Sequence, residues 1–538
     1  MADRRKRSHT ISYSPYELQR SAQKRVRKDD SNTTTTITTI TTTEVTLPLN
    51  DLPIPISHPR PFRQLFVCGT GDFGQLGLGV TTENTHIDKP ELHYFLDLVI
   101  SINSKNGSKD PCEAAIEQVC SGGMHSLVVD ELGHIWSWGV NDQGALGRKT
   151  VGVQEIDDPT REIPSEFVES LPKNVHELIE GSFRAVRVSA GDSFSIALDS
   201  EGRIKGWGCF NSSEGCMGFH PYSNTRKPEM LPISIPFPED VRFVSIACGG
   251  NHIVALTQFG TVYTWGNGEH GELGRRIVVR RKTNGLVPER LSLRRIVYVG
   301  AGGYNSFAID ELGHVFAWGL NNLRQCGIPF TQEVDSKNIV LWEPTEITSL
   351  SPQALGKGRR VIQICGGESH TLFLLNDGTV YGCGRCNDYE LGLATDHPEM
   401  IKLCTTEGET LPRGVSDSRA HSYIAIPTLI HFPPPPTPED PDPVMSPYGE
   451  TQKPNIIVRI AARSRHSFAV SENGHAYAWG CGQLGELGFG SVECQQTPRR
   501  MRGDTLDQLR TDGAGWKWLI EDVCAGDHHT ILLARKTL

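Results

Sequence analysis

Six times along this chain a small-residue turn is followed eight residues later by Gly and, five residues after that, by Trp or a residue in its place. So regular a repeat constrains the fold more than local propensity does, because each copy is one unit that buries its apolar face only against the next. The copies read VCSGGMHSLVVDELGHIWSWGVNDQGALG, VSAGDSFSIALDSEGRIKGWGCFNSSEGCMG, IACGGNHIVALTQFGTVYTWGNGEHGELG, VGAGGYNSFAIDELGHVFAWGLNNLRQCG, ICGGESHTLFLLNDGTVYGCGRCNDYELG and IAARSRHSFAVSENGHAYAWGCGQLGELG. His125, Phe194, His252, Asn305, His370 and His466 lead, Gly133, Gly202, Gly260, Gly313, Gly378 and Gly474 follow, and Trp138, Trp207, Trp265, Trp318, Cys383 and Trp479 close the pattern.

Short apolar runs separated by Gly turns are hairpin grammar. In one copy the runs are Ile246 to Cys248, Ile253 to Leu256 and Val262 to Trp265, with a fourth after the Leu-Gly pair. Four antiparallel strands per repeat predict one propeller blade. The ends complete the ring: FVCGTGDFGQLGLG (Phe66 to Gly79) is a back half and VCAGDHHTILLA (Val523 to Ala534) a front half. The expected fold is therefore all-β, a seven-bladed β-propeller of four-stranded antiparallel blades with one blade shared between the N- and C-terminal segments. Sharing a blade removes two bare sheet edges.

A chain of 538 residues with net charge -10, no run of eighteen apolar residues and no apolar segment after its basic start predicts neither a membrane span nor a secretory signal. Of 14 Cys, Cys120, Cys248, Cys365 and Cys524 share one small strand position and read as packed free thiols of a reducing compartment. Cys383 and Cys386 form one CxxC without a second pair, so neither metal nor cofactor is expected.

Residues 1–64 read as a basic, Thr-rich tail and 65–538 as the propeller, with a Pro-rich loop insertion at about 394–451 that holds Pro433 to Pro436. Arg4, Arg5, Lys6 and Arg7, then Lys24, Arg25, Arg27 and Lys28, give residues 1 to 30 nine basic against four acidic groups, while the rest of the chain carries 44 against 59. A basic arm on an acidic body is a nuclear-import signal, a phosphate-binding arm or a solvated leader. Thr33 to Thr46 is a flexible spacer by composition. The proline run is either a linker or a ligand for an aromatic-lined groove. Arg275, Arg276, Arg280, Arg281, Lys282, Arg290, Arg294 and Arg295 form a basic stretch that suits either solvent or an acidic partner.

Antiparallel strands put the turn after the first strand of each blade and the turn after the third on one rim. On that rim the distance from Trp, or Cys383, to the closing Gly is nine residues in five copies but eleven from Trp207 to Gly218. The third blade is expected to project a longer hairpin, made of Phe210, Asn211, Ser212, Ser213, Glu214, Gly215, Cys216 and Met217, as a wedge or as a neutral insertion. Bond chemistry finds no support: His125, His252, His370, His466 and His529 recur at one column and read as turn-stabilising residues, and the chain has no Walker loop or GxSxG elbow. The expectation is a protein that is not an enzyme.

These units resemble the regulator of chromosome condensation family over about 470 residues, in GDFGQLGLG, SGGMHS with NDQGALGR, VSAGDS with the long hairpin, and the basic loop after ELGR. The resemblance implies a guanine nucleotide exchange factor for the small GTPase Ran, nuclear and chromatin-associated, serving nucleocytoplasmic transport and mitosis. One rim would bind Ran through Asp72, Asp192, Asn251, Arg275, Ser369, His370, His529 and the wedge. The other face and the basic arm would hold the nucleosome, through DNA and the histone acidic patch, and the arm would also meet an import receptor. Arg280, Arg281 and Lys282 would sit in the histone-contacting loop. The chain departs from the family pattern at Asn251 in place of Asp, Asn211 in place of Arg, and Ser369 in place of His. Those departures favour the alternative, a non-exchanging nuclear scaffold such as a chromatin reader or ubiquitin-ligase adaptor.

Overall fold

Each second strand of a repeat is a continuous apolar run rather than an alternation, and the reason is visible in the computed structural model: it is covered on both faces by neighbouring blades. His125–Asp130, Phe194–Asp199, His252–Thr257, His370–Leu375 and His466–Ser471 are buried at every position. The structure describes residues 47–537 apart from 56–62, 81–84, 98–115, 180–182, 221–225, 278–283, 330–338, 406–421, 446–453 and the single positions 96, 156, 239 and 514.

Seven four-stranded antiparallel sheets form the ring. Blade four is typical, with strands Phe243–Cys248, His252–Thr257, Val262–Gly266 and Glu289–Arg290 in order from the axis outward. Blade one takes Trp518–Ala525 and His529–Lys536 from the end of the chain and Arg63–Thr70 and His86–Leu92 from its beginning. The strand His529–Lys536 pairs with Arg63–Thr70 from Gly69↔His529 to Arg63↔Arg535, which closes the ring.

One polar relay, repeated between blades, explains the conserved spacing of the copies. The Nε1 of Trp138, Trp207, Trp318 and Trp479 donates to the carbonyls of Gln75, Ala145, Glu272 and Glu390 in the preceding blade at 2.8–2.9 Å. Ser126, Ser195, Ser306 and Ser467 donate to the same four carbonyls, and His529, His125, His252 and His370 meet those hydroxyls through Nε2 at 2.8–2.9 Å. A buried indole N–H or imidazole left unpaired costs about 1–3 kcal/mol, so the columns of His, Ser and Trp stand or fall together.

Two sequence boundaries are corrected. The segment 394–451 is not one loop: Pro398–Thr405 is helical, and Tyr423–Ile430 is the outermost strand of blade six, paired with Val380–Arg385. Its sequence YIAIPTLI has the apolar content of a strand that buries one face. Body contacts also begin before residue 65, since the N–H groups of Leu49 and Asn50 donate to Gln258 O and Asn50 Nδ2 reaches Ile296 O. Cys120, Cys248, Cys365 and Cys524 are free thiols on the channel wall.

Candidate functional site

The rim formed by the turns after first and third strands gathers most of the resemblance-derived residues. Asp72 is exposed on it and Asp192 is half-buried at the mouth of the central channel, whose cavity is about 530 Å³. The long hairpin is a small sheet of its own, Phe210–Ser212 against Gly215–Gly218. A disulfide joins Cys209 and Cys216 across its root. Phe210 and Met217 are buried, while Ser213, Glu214 and Gly215 are exposed at the tip.

The hairpin changes the joint it stands on. Phe210 stacks on Phe219 at 4.9 Å between centroids and packs on Phe194 at 4.5 Å. Phe194 occupies the His column of this blade, and the next blade has Ile253 where four of the other six carry Ser and two, Thr371 and Thr530, carry Thr. An apolar plug thus replaces the hydroxyl relay, and Trp265 Nε1 has no partner there. Above the plug the hairpin is tied to blade four: Asn211 N donates to Asn251 Oδ1 at 2.7 Å, Asn267 Nδ2 donates to Asn211 O at 3.1 Å, and Ser213 donates to Glu269 through both N–H and Oγ at 2.8 Å. Asn251 Nδ2 also donates to Asp192 Oδ2 at 3.0 Å. An Asp at 251 would set two carboxylates against each other here, so Asn suits this geometry.

Three of the expected contact residues are placed elsewhere by the structure. His370 and His529 are buried at 1% and 0% exposure inside the relay, and burial holds both imidazoles down at about 3, hence neutral. They support the rim from below instead of being presented on it. Arg275 is mostly buried, donates to Thr264 O and Val287 O and pairs with Glu289 at 3.2 Å. Arg148, which follows the closing Gly of blade two as Arg275 does in blade four, is likewise buried and donates to Ser137, Val168 O and Leu171 O. Both are blade clamps. Ser369 is half-buried, and its carbonyl accepts from Arg385 N. Arg4, Arg5, Lys6, Arg7, Lys24, Arg25, Arg27, Lys28, Arg280, Arg281 and Lys282 lie outside the described residues.

Two residues at the mouth escaped sequence reasoning. Arg463 Nη2 donates to Asp192 Oδ1 at 2.6 Å and its Nε donates to Asp527 Oδ1 at 2.8 Å. Burial alone would raise the Asp527 carboxyl, but the charge and hydrogen bond of Arg463 outweigh it and hold it below the usual range. The signal for Asp527 was its column, shared with Asp192; the signal for Arg463 was its break in a column of glycines.

Residues 64–532 match the RCC1-like domain. The chain belongs to that family. Among RCC1-like relatives, Protein pim1 of Schizosaccharomyces pombe is 32% identical over 86% of this chain and 75% of its own length. The guanine nucleotide exchange factor SRM1 of Saccharomyces cerevisiae is 31% identical over 81% of this chain and 82% of its own. A crystal structure of Prp20p from Saccharomyces cerevisiae, described with its binding properties to Gsp1p and histones, superposes with a TM-score of 0.69 at 28% identity, covering 89% of this chain and 93% of that one. A structure of yeast RCC1 (Prp20) bound to Kap60 gives 0.69 at 26% identity, covering 97% of each chain. Among the described residues of this RCC1-like chain, no helix is long and apolar enough to cross a membrane and no cluster of His, Cys, Asp and Glu is arranged to hold a metal ion.

Proposed function

We propose that this protein is a guanine nucleotide exchange factor for the small GTPase Ran. The observation that carries the reading is the hairpin: in a ring of otherwise equal loops, one blade projects an exposed tip of Ser213, Glu214 and Gly215, and hydrogen bonds tie its root to an acidic group at the channel mouth. Its membership of a family that includes a named exchange factor supports the reading. Asp72, Asp192 and the hairpin compete with magnesium and phosphate for the GTPase groups that hold nucleotide. The factor binds the empty GTPase better than the loaded one, and by reciprocity nucleotide expels the factor. A ten-thousandfold acceleration of release requires about 5.5 kcal/mol of barrier lowering, within reach of a packed hairpin and one or two desolvated charge contacts.

The basic arm then places the exchanger on chromatin in the nucleus and offers an import receptor its signal. Support for those partners comes from the excess of basic residues in the first thirty and from the histone and Kap60 connections of the yeast neighbour. Release of a fluorescent GDP analogue from Ran, with substoichiometric protein and excess GTP, tests the reading. Turnover far above spontaneous release is expected. No acceleration by folded protein at stoichiometric amounts leaves the non-exchanging scaffold.

A further inference from the structure

Three residues before the His column stand Gly122, Gly191, Gly249, Gly302, Gly367 and Gly526, and in blade seven Arg463. Packing accounts for the glycines. A Cβ on any of the six would lie 2.0–2.3 Å from the ring or amide of the residue three positions on. Blade seven accommodates a side chain only by turning differently: Ser464 adopts φ 44°, and Arg463 pairs across the hairpin with His466. A non-glycine residue in that region costs ~1–2 kcal/mol, and such strain persists where surrounding contacts offset it.

The contacts are at the channel mouth. Backbone bonds pass around it from blade to blade: Asp527 N to Gly123 O, Gly123 N to Gly191 O, Asp192 N to Gly250 O, Gly250 N to Gly303 O, Gly303 N to Gly367 O and Glu368 N to Ser464 O. At the remaining junction, from blade seven to blade one, no such backbone bond occurs among the described residues. There the Arg463 guanidinium reaches Asp527 and, with its other arm, crosses the mouth to Asp192. Asp192 holds Asn251, and Asn251 holds the amide of Asn211. An unbroken polar line therefore runs Asp527, Arg463, Asp192, Asn251, Asn211, from the closing blade to the root of the hairpin.

We propose that Arg463 is a positioning residue of this rim: it fixes the Asp192 carboxylate and, through Asn251 and Asn211, the stance of the long hairpin. Its kinetic consequence rests on the exchange reading given above; its structural consequence does not. A planar guanidinium spans both carboxylates with a fixed fork, which a lysine ammonium cannot do. Two acids against one cation also leave the mouth net negative, so the clamp orients Asp192 without cancelling the charge offered to a cationic partner.

The test compares Arg463→Gly, which restores the residue of the other six blades, with Arg463→Lys and Arg463→Gln, in the full chain. Hydrogen exchange of the amides at 210–218 is read alongside nucleotide release at varied Ran and salt concentrations. The Gly and Gln variants are expected to exchange hairpin-root amides ~10-fold faster and to lose about 10-fold in kcat, with KM unchanged or lower and more salt-dependent because both carboxylates are bared. The Lys variant should restore the salt dependence but not kcat or the protection. Unchanged hairpin protection in a folded Gly or Gln variant overturns the proposal, as does full recovery of kcat by Lys. If the Gly variant does not fold, the Gln variant, which keeps the Cβ and the turn, decides the matter. If the wild-type protein releases no nucleotide, the exchange reading fails, and the hairpin protection still judges the role of Arg463.

Discussion

Acid should unfold this ring steeply, because its joints are built on histidines that stay neutral when folded. Burial holds His125, His252, His370 and His529 down at about 3 and His466 at about 4. An unfolded His titrates near ~6.5, so below that pH the unfolded chain binds protons that the folded chain refuses, and stability falls as pH falls. Each site loses a little over ~1 kcal/mol per pH unit, and from pH 7 to 4.5 the five together withdraw roughly 13 kcal/mol. Buried carboxyls act in the opposite sense: burial raises Asp192, Glu486 and Asp522 and pushes Glu272 up to about 8 and Glu390 up to about 7. Such groups bind protons when folded, so their contribution rises as pH falls through the same interval, by roughly 5 kcal/mol for Glu272 and Glu390 together. Burial also holds His475 down at about 3 and His93 at about 4, which adds to the loss. For the five column histidines and these two glutamates the net loss is on the order of 8 kcal/mol, comparable to the whole stability of a typical domain, ~5–15 kcal/mol. The expected result is a stability that changes little from pH 7 to 6 and collapses between about 5.5 and 4.5. Urea unfolding followed by tryptophan fluorescence at stepped pH measures it. His370→Asn, which installs the residue found at Asn305, should lower the limiting slope by one fifth of the column-histidine contribution. A slope equivalent to fewer than about two protons, or no change of slope in that variant, would refute the reasoning.

Shortening Phe210 to Met217 to the nine-residue spacing of the other blades should abolish nucleotide release while leaving the melting transition cooperative; unchanged release rates sink the wedge. Gly249→Ala brings a Cβ to 2.1 Å from His252 and 2.5 Å from Gly302 O. A loss of about 3 kcal/mol or failure to fold is expected, and a melting temperature within a degree or two of wild type contradicts the packing argument. Asn251→Asp removes the donor to Asp192 and adds a like charge, so about 1–3 kcal/mol of stability should be lost at pH 7; equal stability there argues against the polar line.

Fold and site were legible in the sequence to different depths. Blades were readable because their landmarks are buried on both sides: Trp138 and its equivalents, the His column and the Gly turns recur at fixed spacing since each must meet the same partner in an adjacent blade. The outermost strand Tyr423–Ile430 was missed because it meets only one neighbour, so nothing fixes its distance from Cys383. The long hairpin showed as two extra residues, but its apolar plug needed Phe194, Phe210 and Ile253 to be seen together. His370 and His529 were read both as turn-stabilising residues and as rim contacts, and a column alone cannot say which way a ring points. The bond from Arg463 to Asp192 joins residues 271 apart, a distance that no local pattern encodes.

Blade one also sets the order in which this molecule can be made. The strand Arg63–Thr70 leaves the ribosome first and finds its place only when His529–Lys536 follows, more than four hundred residues later. At ~5–20 residues per second, the nascent chain spends tens of seconds as an open arc whose leading strand lacks its partner. For that whole interval the inner edge of Arg63–Thr70 lies unpaired, so ring closure by His529–Lys536 is the step most exposed to chaperones.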